Sequence, residues 1–533
     1  MKDLTTFVYS FEKLILGNYL YIDKTEYIWQ LIRTRSEGYF LSRPRRFGKS
    51  LLISTLKAIF QGKKELFEGL AIYDKPYDWK TYPVIHLSFG DYSVVSNAAE
   101  ELPDYLMSKM ETLAHEHSIK LKRKTPGLCF AELIDKLAEK GQVVILIDEY
   151  DKPILGNITD SRVRDIRDML KGFYSVLKDR NDKERLLFIT GVSKFSHVSL
   201  FSELNNLTDI TLKSKYAGML GFTEAEVRKC FAERIPDAAK ANDVSEEELV
   251  AKVLKWYDGY RFSDADVHVC NPVSITKFFS EEYSFSNYWD DTGTPIFLIK
   301  LMEQQSYDHE AALNEWYSES IFSAYELDRL DITGMLWQTG YLTIKDVRRG
   351  DAGMRYRLGF PDKEVRDTFC TRLLELYGNL AQGTGAPMVD KFQDAILAGD
   401  VDRFMTLLQS VMANIDYRLH IKQEKYYQTI FFLVYFLIGT RIEAESCTNE
   451  GRIDAYIRTS KAIYIFEFKL NKTARKAVSQ IIDRRYYEKF QNSSLPIRLI
   501  GVNFNSSKGR IDAWKELPLL ESSPFLNTVR HTI

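Results

Sequence analysis

Cysteine is scarce in this chain: five residues among 533 (Cys129, Cys230, Cys270, Cys370 and Cys447), spaced at least forty positions apart. No CxxC pair and no Cys/His run with zinc spacing occurs. This argues against a disulfide-stapled secreted fold or a zinc ribbon, and points to reduced thiols in a cytosolic setting. Long apolar runs are also missing. The longest, at 429–439 (TIFFLVYFLIG), is too short to span a bilayer and reads as a buried helix. The first residues lack a signal-peptide pattern. Neither sign of charge dominates: 72 Lys and Arg against 74 Asp and Glu leave a formal net charge of −2, so any nucleic-acid contact must come from local patches. Repeats and low-complexity tracts are absent. What the chain does have is apolar material, 45% hydrophobic and 13% aromatic residues, over a length too great for one ordinary core. The expectation is a soluble cytoplasmic protein of three domains with no membrane association.

Residues 43–50 read RPRRFGKS. A short apolar run of strand type, 38–42 (GYFLS), precedes them, and SLLISTLKAIF from Ser50 has the apolar spacing of a buried helix. The segment therefore sits at a strand-to-helix turn, where free backbone N–H groups and the helix dipole favour a phosphate. Gly48 lets the backbone approach phosphate oxygens, Lys49 offers a cation to the β- and γ-phosphates, and the Ser50 hydroxyl can ligate Mg2+. This is a P-loop pattern with one departure: Arg43 stands where the opening Gly is usual. Arg43, Arg45 and Arg46 are candidate phosphate contacts, or else face a nucleic acid or a neighbouring subunit. The expected ATP contacts are Arg43, Arg45, Arg46, Phe47, Gly48, Lys49, Ser50 and Leu51.

About a hundred residues later comes VVILIDEY, 143–150. Five consecutive apolar residues, four of them β-branched, suit a strand buried on both faces of a parallel sheet. Asp148 and Glu149 follow at its C-terminal end, where such sheets bind ligands. Asp148 is expected to hold Mg2+, directly or through water, and Glu149 to polarise the attacking water. A further strand, 186–191 (LLFITG), makes Thr190 or Ser193 a candidate γ-phosphate sensor, of the kind found where an extra strand separates the P-loop strand from the acidic strand. Both are equally at home as caps.

Up to about residue 215, strands and helices alternate, including a strand at 83–89 and a helix at 129–140. This pattern favours a parallel sheet covered by helices. From 216 the chain turns mainly helical, and 224–233 reads as a lid-like helix from which Arg228 or Arg234 could reach the nucleotide; a solvated surface Arg is the competing reading. A helix near 330 is followed by strands at 340–344 and 354–358 around a polar turn at 348–351, an arrangement that resembles a winged-helix module. It serves either DNA contact or packing within the protein. Glycines at 378, 383 and 385 mark a boundary near 380–390.

Near the C-terminus, 451–470 reads GRIDAYIRTSKAIYIFEFKL. Glu467 and Lys469, two apart in a strand, leave the same face, while Phe466, Phe468 and Leu470 fill the other. Pairing of this strand with 453–457 could bring Asp454 to Glu467. Two carboxylates can hold Mg2+ or, alternatively, Mn2+, and a Lys stabilises hydroxide and phosphorane charge: the minimal set for phosphodiester hydrolysis. The segment 469–489 carries seven Lys and Arg against two acids, with Tyr486, Tyr487 and Phe490 interleaved, and could neutralise phosphates.

These motifs carry family resemblances. GRID and EFK resemble the second and third motifs of the PD-(D/E)xK nuclease superfamily. That resemblance implies metal ligation by Asp454 and Glu467, catalysis with Lys469, and a supporting role for Gln480 at a frequent QI position. For the upstream acid, Glu424 is preferred over Glu445. YIDKTEYI (21–28), RPRRFGKS, LIDEYDKP (146–153), GFTEAEV (221–227) and WYDGYRF (256–262) resemble AAA-ATPase-like proteins with a restriction-endonuclease-like C-terminal domain, in which Arg at the first P-loop position is usual. The resemblance covers nearly the whole chain. It implies an α/β protein: a RecA-like P-loop ATPase core (1–215), a helical lid and winged-helix-like region (216–380), and a nuclease-like domain (381–533). The expected function is ATP binding and hydrolysis joined to metal-dependent cleavage, with DNA preferred to RNA as partner and a homo-oligomer left open. The rival reading is a nucleotide-dependent switch or scaffold whose nuclease fold binds without cutting.

Overall fold

The computed structural model describes residues 1–533 except 35–36, 93–97, 159, 195–206, 290–297, 299–300, 303–306, 308, 324–330, 352, 414–430, 432, 436, 439–442, 445–454, 509 and 520–533. Its contacts divide the chain into two units, 1–301 with 313–365, and 302–312 with 366–533.

In the first unit the apolar runs become strands β1 (Glu37–Ser42), β2 (Val84–Ser88), β3 (Val143–Asp148), β4 (Glu184–Gly191) and β5 (Leu207–Asp209). All pair in parallel, in the order β2-β3-β4-β1-β5. Every residue of β3 and β4 is buried, as strands covered on both faces require. Strand β4 lies between β1 and β3, with Leu41 paired to Thr190 and Ile147 to Ile189. The chain leaves β1 into the P-loop and then helix α1 (Lys49–Phe60); it leaves β3 into Glu149. Both turns therefore sit at the same C-terminal edge of the sheet. Ile145 and Ile147 join the core formed with Phe130, Leu133 and Ile134 of helix α2 (Pro126–Ala138). Strand alternation then turns Asp148 to the opposite face, that of α1.

The same unit continues with α3 (Glu224–Cys230) and α4 (Glu246–Tyr257), each opened by a capping box (Thr223/Glu226 and Ser245/Glu248). Helix α5 (Pro272–Ser280) joins their core through Ile275, Phe278 and Phe279. Helix α6 (Ile332–Thr339) ends on the left-handed Gly340. Strands β6 (Trp316–Ser318), β7 (Thr343–Gly350) and β8 (Gly353–Gly359) form an antiparallel sheet in the order β6-β8-β7. The polar stretch 348–350, expected as a turn, is strand: Arg348 pairs with Arg355 and Gly350 with Gly353. The signal was misleading because the outer part of β7 is solvated, so its polarity marks exposure rather than a turn.

The second unit holds helices α7 (Gly385–Ala398) and α8 (Val401–Ala413) and a mixed sheet. Its strands are β9 (Glu443–Ala444), β10 (Ala455–Arg458), β11 (Ile463–Leu470), β12 (Ile497–Asn505) and β13 (Arg510–Leu519), in the order β13-β12-β11-β10-β9. Only β11 and β12 are parallel, and helix α9 (Ala474–Asp483) makes the crossover between them. Gly501 on β12 lets α9 approach closely: a Cβ there would lie 2.3 Å from the Ala474 carbonyl oxygen. Tyr486, Tyr487 and Phe490, the aromatics interleaved with the basic residues, are buried in the core against Ile465, Ile481 and Leu499.

Candidate nucleotide and nuclease-like sites

The P-loop backbone is shaped for an anion. Arg46 (φ +68°) and Gly48 (φ +87°) are left-handed, with Phe47 between them at negative φ. Alternation of this kind makes successive N–H groups converge on one point. No heavy atom lies within 4 Å of the position a Gly48 Cβ would take, so glycine is needed there for conformation rather than for space. Gly48 then caps α1, adding the N-terminal end of a twelve-residue helix.

Lys49, Ser50, Asp148 and Glu149 meet around one cavity of about 980 Å³, which Arg45, Arg46, Phe47, Gly48 and Leu51 also line. Lys49 is buried, and its Nζ donates to the carbonyl oxygens of Arg43 (2.9 Å) and Pro44 (2.8 Å). Burial pushes its pKa down to about 8, against the opposing pull of Asp148, Asp151 and Glu149. Burial pushes the Asp148 carboxyl above the usual carboxylate range, with the neighbouring Ser50 hydroxyl opposing the shift. The Asp148 Oδ1 is buried without a hydrogen-bond partner among the described residues. An orphaned carboxylate oxygen beside a hydroxyl fits a hard cation or its water, so Ser50 and Asp148 suit a divalent metal ion.

Glu149 is in the left-handed region at φ +54°, a conformation that costs a non-glycine residue about 1 kcal/mol. Its half-exposed carboxylate lies on the cavity, 3.6 Å from Lys152 Nζ. Asp151 is buried and accepts from the Ser193 amide (2.6 Å), the Ser193 hydroxyl (2.7 Å) and the Val192 amide (3.1 Å). It thereby ties the loop after β3 to the end of β4.

Two expected contacts are placed elsewhere. Arg43 does not line the cavity. Its guanidinium is buried and donates to the carbonyls of Ser42 (2.9 Å) and Thr211 (2.8 Å), so it faces the protein interior. Thr190 is also off the cavity; its hydroxyl donates to the Leu41 carbonyl at 2.9 Å, and the alternative, Ser193, is spent on Asp151. Arg228 pairs with Glu224 and Glu247 on the surface, the solvated reading, and Arg234 donates to the Lys2 carbonyl. Neither lines the cavity. Among the lining residues not singled out from sequence are His86 and Ser88, on β2 beside β3, with Ser88 opposite Asp148. Their signal was legible, since polar residues two apart at the end of an apolar strand share one face. Burial lowers the His86 pKa to about 4, so the imidazole is neutral.

In the second unit Glu467 is 1% exposed on β11. Lys469 Nζ donates to its Oε1 at 2.7 Å, and the Gln480 amide on α9 donates to the same oxygen. The structure therefore brings Glu467, Lys469 and Gln480 together, from one strand and the helix that follows it. Ala455 pairs with Phe466; Asp454, together with Glu424 and Glu445, lies outside the described residues. Among the described residues no group of three His, Cys, Asp or Glu side chains forms a metal cluster. Of the basic residues around α9, Lys472, Arg475, Lys476, Arg484, Arg485 and Lys489 are exposed.

A parallel sheet in the order β2-β3-β4-β1-β5, with an anion-shaped loop after β1 and acids after β3, defines a P-loop-like core. The mixed sheet bearing Glu467 and Lys469 is that of a PD-(D/E)xK domain. Residues 7–201 match the family described as predicted AAA-ATPase, and residues 422–514 match the PD-(D/E)XK nuclease superfamily. An uncharacterized protein in the vnfD 5′ region of Azotobacter chroococcum mcd 1 is 35% identical over 520 residues, covering 95% of this chain and 96% of its own. The chain belongs to the AAA-ATPase-like family that carries a PD-(D/E)XK nuclease superfamily domain at its C-terminus. Domains of these kinds point to nucleotide binding and nuclease-like activity. Among the described residues no helix is long and apolar enough to cross a membrane.

Proposed function

We propose that this protein binds and hydrolyses ATP in the first unit and cleaves DNA with the second. The observation that supports the ATP reading is the convergence of an anion-shaped loop, Lys49, Ser50, Asp148 and Glu149 on a single cavity. The Arg46–Gly48 backbone and the α1 N-terminus bind phosphate oxygens. Lys49 exchanges the Arg43 and Pro44 carbonyls for the β- and γ-phosphates, a charge-assisted bond in a buried site. Ser50 and Asp148 hold Mg2+, which when bound screens phosphate charge and orients the nucleotide. Glu149 takes the position of the residue that orients and polarises the attacking water.

At the second site Glu467, with Asp454, holds Mg2+ or Mn2+. Asp454 is the residue next to Ala455, as Glu467 is next to Phe466, and Ala455 and Phe466 are strand partners. Gln480 fixes the Glu467 carboxylate, and Lys469 supplies positive charge to the scissile phosphate. The exposed basic residues around α9 contact the DNA backbone without reading sequence. The interleaved aromatics are core and do not stack on bases.

Phosphate release from ATP, measured for wild type and Glu149→Gln, tests the first half. The variant is expected to bind ATP as wild type does and to lose about a hundredfold or more in turnover, the range for general-base removal. Turnover undiminished in Glu149→Gln removes the assigned role, and no ATP binding by wild type removes the reading.

A further inference from the structure

Resting on that nucleotide reading, we infer that the P-loop is held in its anion-binding shape by an aromatic clamp from 260–262, and that Arg43 is the positioning residue engaging it. The usual opening glycine lets a P-loop turn tightly. Here a long cation occupies that position and is 1% exposed. Its Cζ lies 4.2 Å from the centre of the Phe262 ring, within the range of a cation–π contact, and its Nη1 bridges the Ser42 and Thr211 carbonyls. Burial acts to lower the Arg43 pKa and the field of the Asp209 carboxylate, itself paired with Lys194 at 2.7 Å, opposes it.

A second loop residue is held by the same segment. Phe47 is buried edge-to-face between Tyr260 (4.8 Å between ring centres) and Phe262 (5.3 Å). The clamp is itself anchored. The Tyr260 hydroxyl donates to the Gly340 carbonyl at 3.0 Å, and the Arg261 amide donates to the Thr343 hydroxyl at 2.7 Å. Gly340, at the end of α6, packs so closely that a Cβ on it would lie 2.7 Å from Pro44 Cβ. Loop residues 43, 44 and 47 are thus fixed by side chains and backbone from 260–262 and 340–343. The carbonyls on which Lys49 rests are those of residues 43 and 44. Positioning of the phosphate-binding lysine therefore passes through Arg43 and Pro44 to the start of the β7–β8 hairpin.

This yields an expectation opposite to the usual one. Arg43→Gly, which restores the common P-loop pattern, should weaken ATP binding rather than improve it. Binding of ATP with Mg2+ is measured by titration calorimetry on the full chain for wild type, Arg43→Gly, Arg43→Lys and Phe262→Leu, alongside each unliganded melting temperature. Arg43→Gly and Phe262→Leu should each weaken binding about tenfold or more, on the order of one charge-assisted hydrogen bond. Arg43→Lys, which keeps the cation without the fork, should fall between them and wild type. In turnover the loss should appear in KM with kcat retained, as for uniform binding. Wild-type binding with Arg43→Gly binding as tightly or tighter overturns the inference. If Arg43→Gly does not fold, unchanged binding by Phe262→Leu overturns it equally. Failure of wild type to bind ATP instead overturns the nucleotide reading on which it rests.

Discussion

Lys49 illustrates how burial and chemistry combine at one side chain. Burial pushes its pKa down to about 8, whereas a bound triphosphate favours the charged form and raises it. Above pH 8 binding must then take up a proton, so affinity is level below that pH and falls as pH rises past it. Calorimetric titrations in buffers of different ionisation enthalpy should show proton uptake at pH 9 and almost none at pH 6.5; equal uptake at both contradicts the assignment. Lys49→Ala should weaken ATP binding about 10- to 100-fold, the worth of one or two charge-assisted bonds. The residues gathered at this pocket were legible in sequence because each declares itself within a few positions of a strand end. Arg43 was not. Its type suggested phosphate contact, and its true surroundings, Phe262 and Thr211, are remote along the chain and reach it only through the fold.

Elements reveal a different class of cost. Glu184 opens β4 buried and 4% exposed, and burial raises its pKa to about 8. A carboxyl whose folded pKa lies above its unfolded value binds more protons when folded. Its contribution to stability is therefore full below about pH 4.5 and lost as pH rises through about 8. Glu184→Gln should accordingly stabilise the first unit by about 1–3 kcal/mol at pH 8.5, the scale of one unsatisfied buried group, with little effect at pH 4.5. Melting curves at the two pH values decide it; equal shifts at both sink the linkage. In the second unit Gly501→Val should destabilise by about 1–3 kcal/mol, because α9 has no room to retreat without moving Gln480 from Glu467. Chemical denaturation measures it. Most strands were legible from apolar runs, β3 and β11 above all. The β7–β8 hairpin was legible too, but its turn was read from Arg348 although the strand runs on to Gly350, since a solvated strand end and a turn share the same polar composition. The aromatics at 486–490 had a similar ambiguity: three rings among basic residues suit either a stacking face or a half-buried element, and packing against Ile465 and Leu499 decided it.

At the scale of the whole molecule, two families meet in one chain, and the relative from Azotobacter chroococcum mcd 1 matches along both. The family and the parallel-sheet core were legible because spaced motifs in a fixed order restrict the topology far more than any one motif does. The strand order, with β4 between β1 and β3, agrees with the extra-strand arrangement read from sequence. If nucleotide occupancy is registered at Arg43 and Phe47, it reaches α6 and the β7–β8 hairpin through Tyr260 and Arg261.

Supercoiled plasmid incubated with Mg2+ or Mn2+, with ATP varied independently, tests the central claim most directly, comparing wild type with Glu467→Ala. The expected result is metal-dependent nicking or linearisation by wild type, abolished in Glu467→Ala while its ATP binding is unchanged. Plasmid left intact by wild type under every combination of metal and nucleotide, or cut as well by Glu467→Ala, would contradict it.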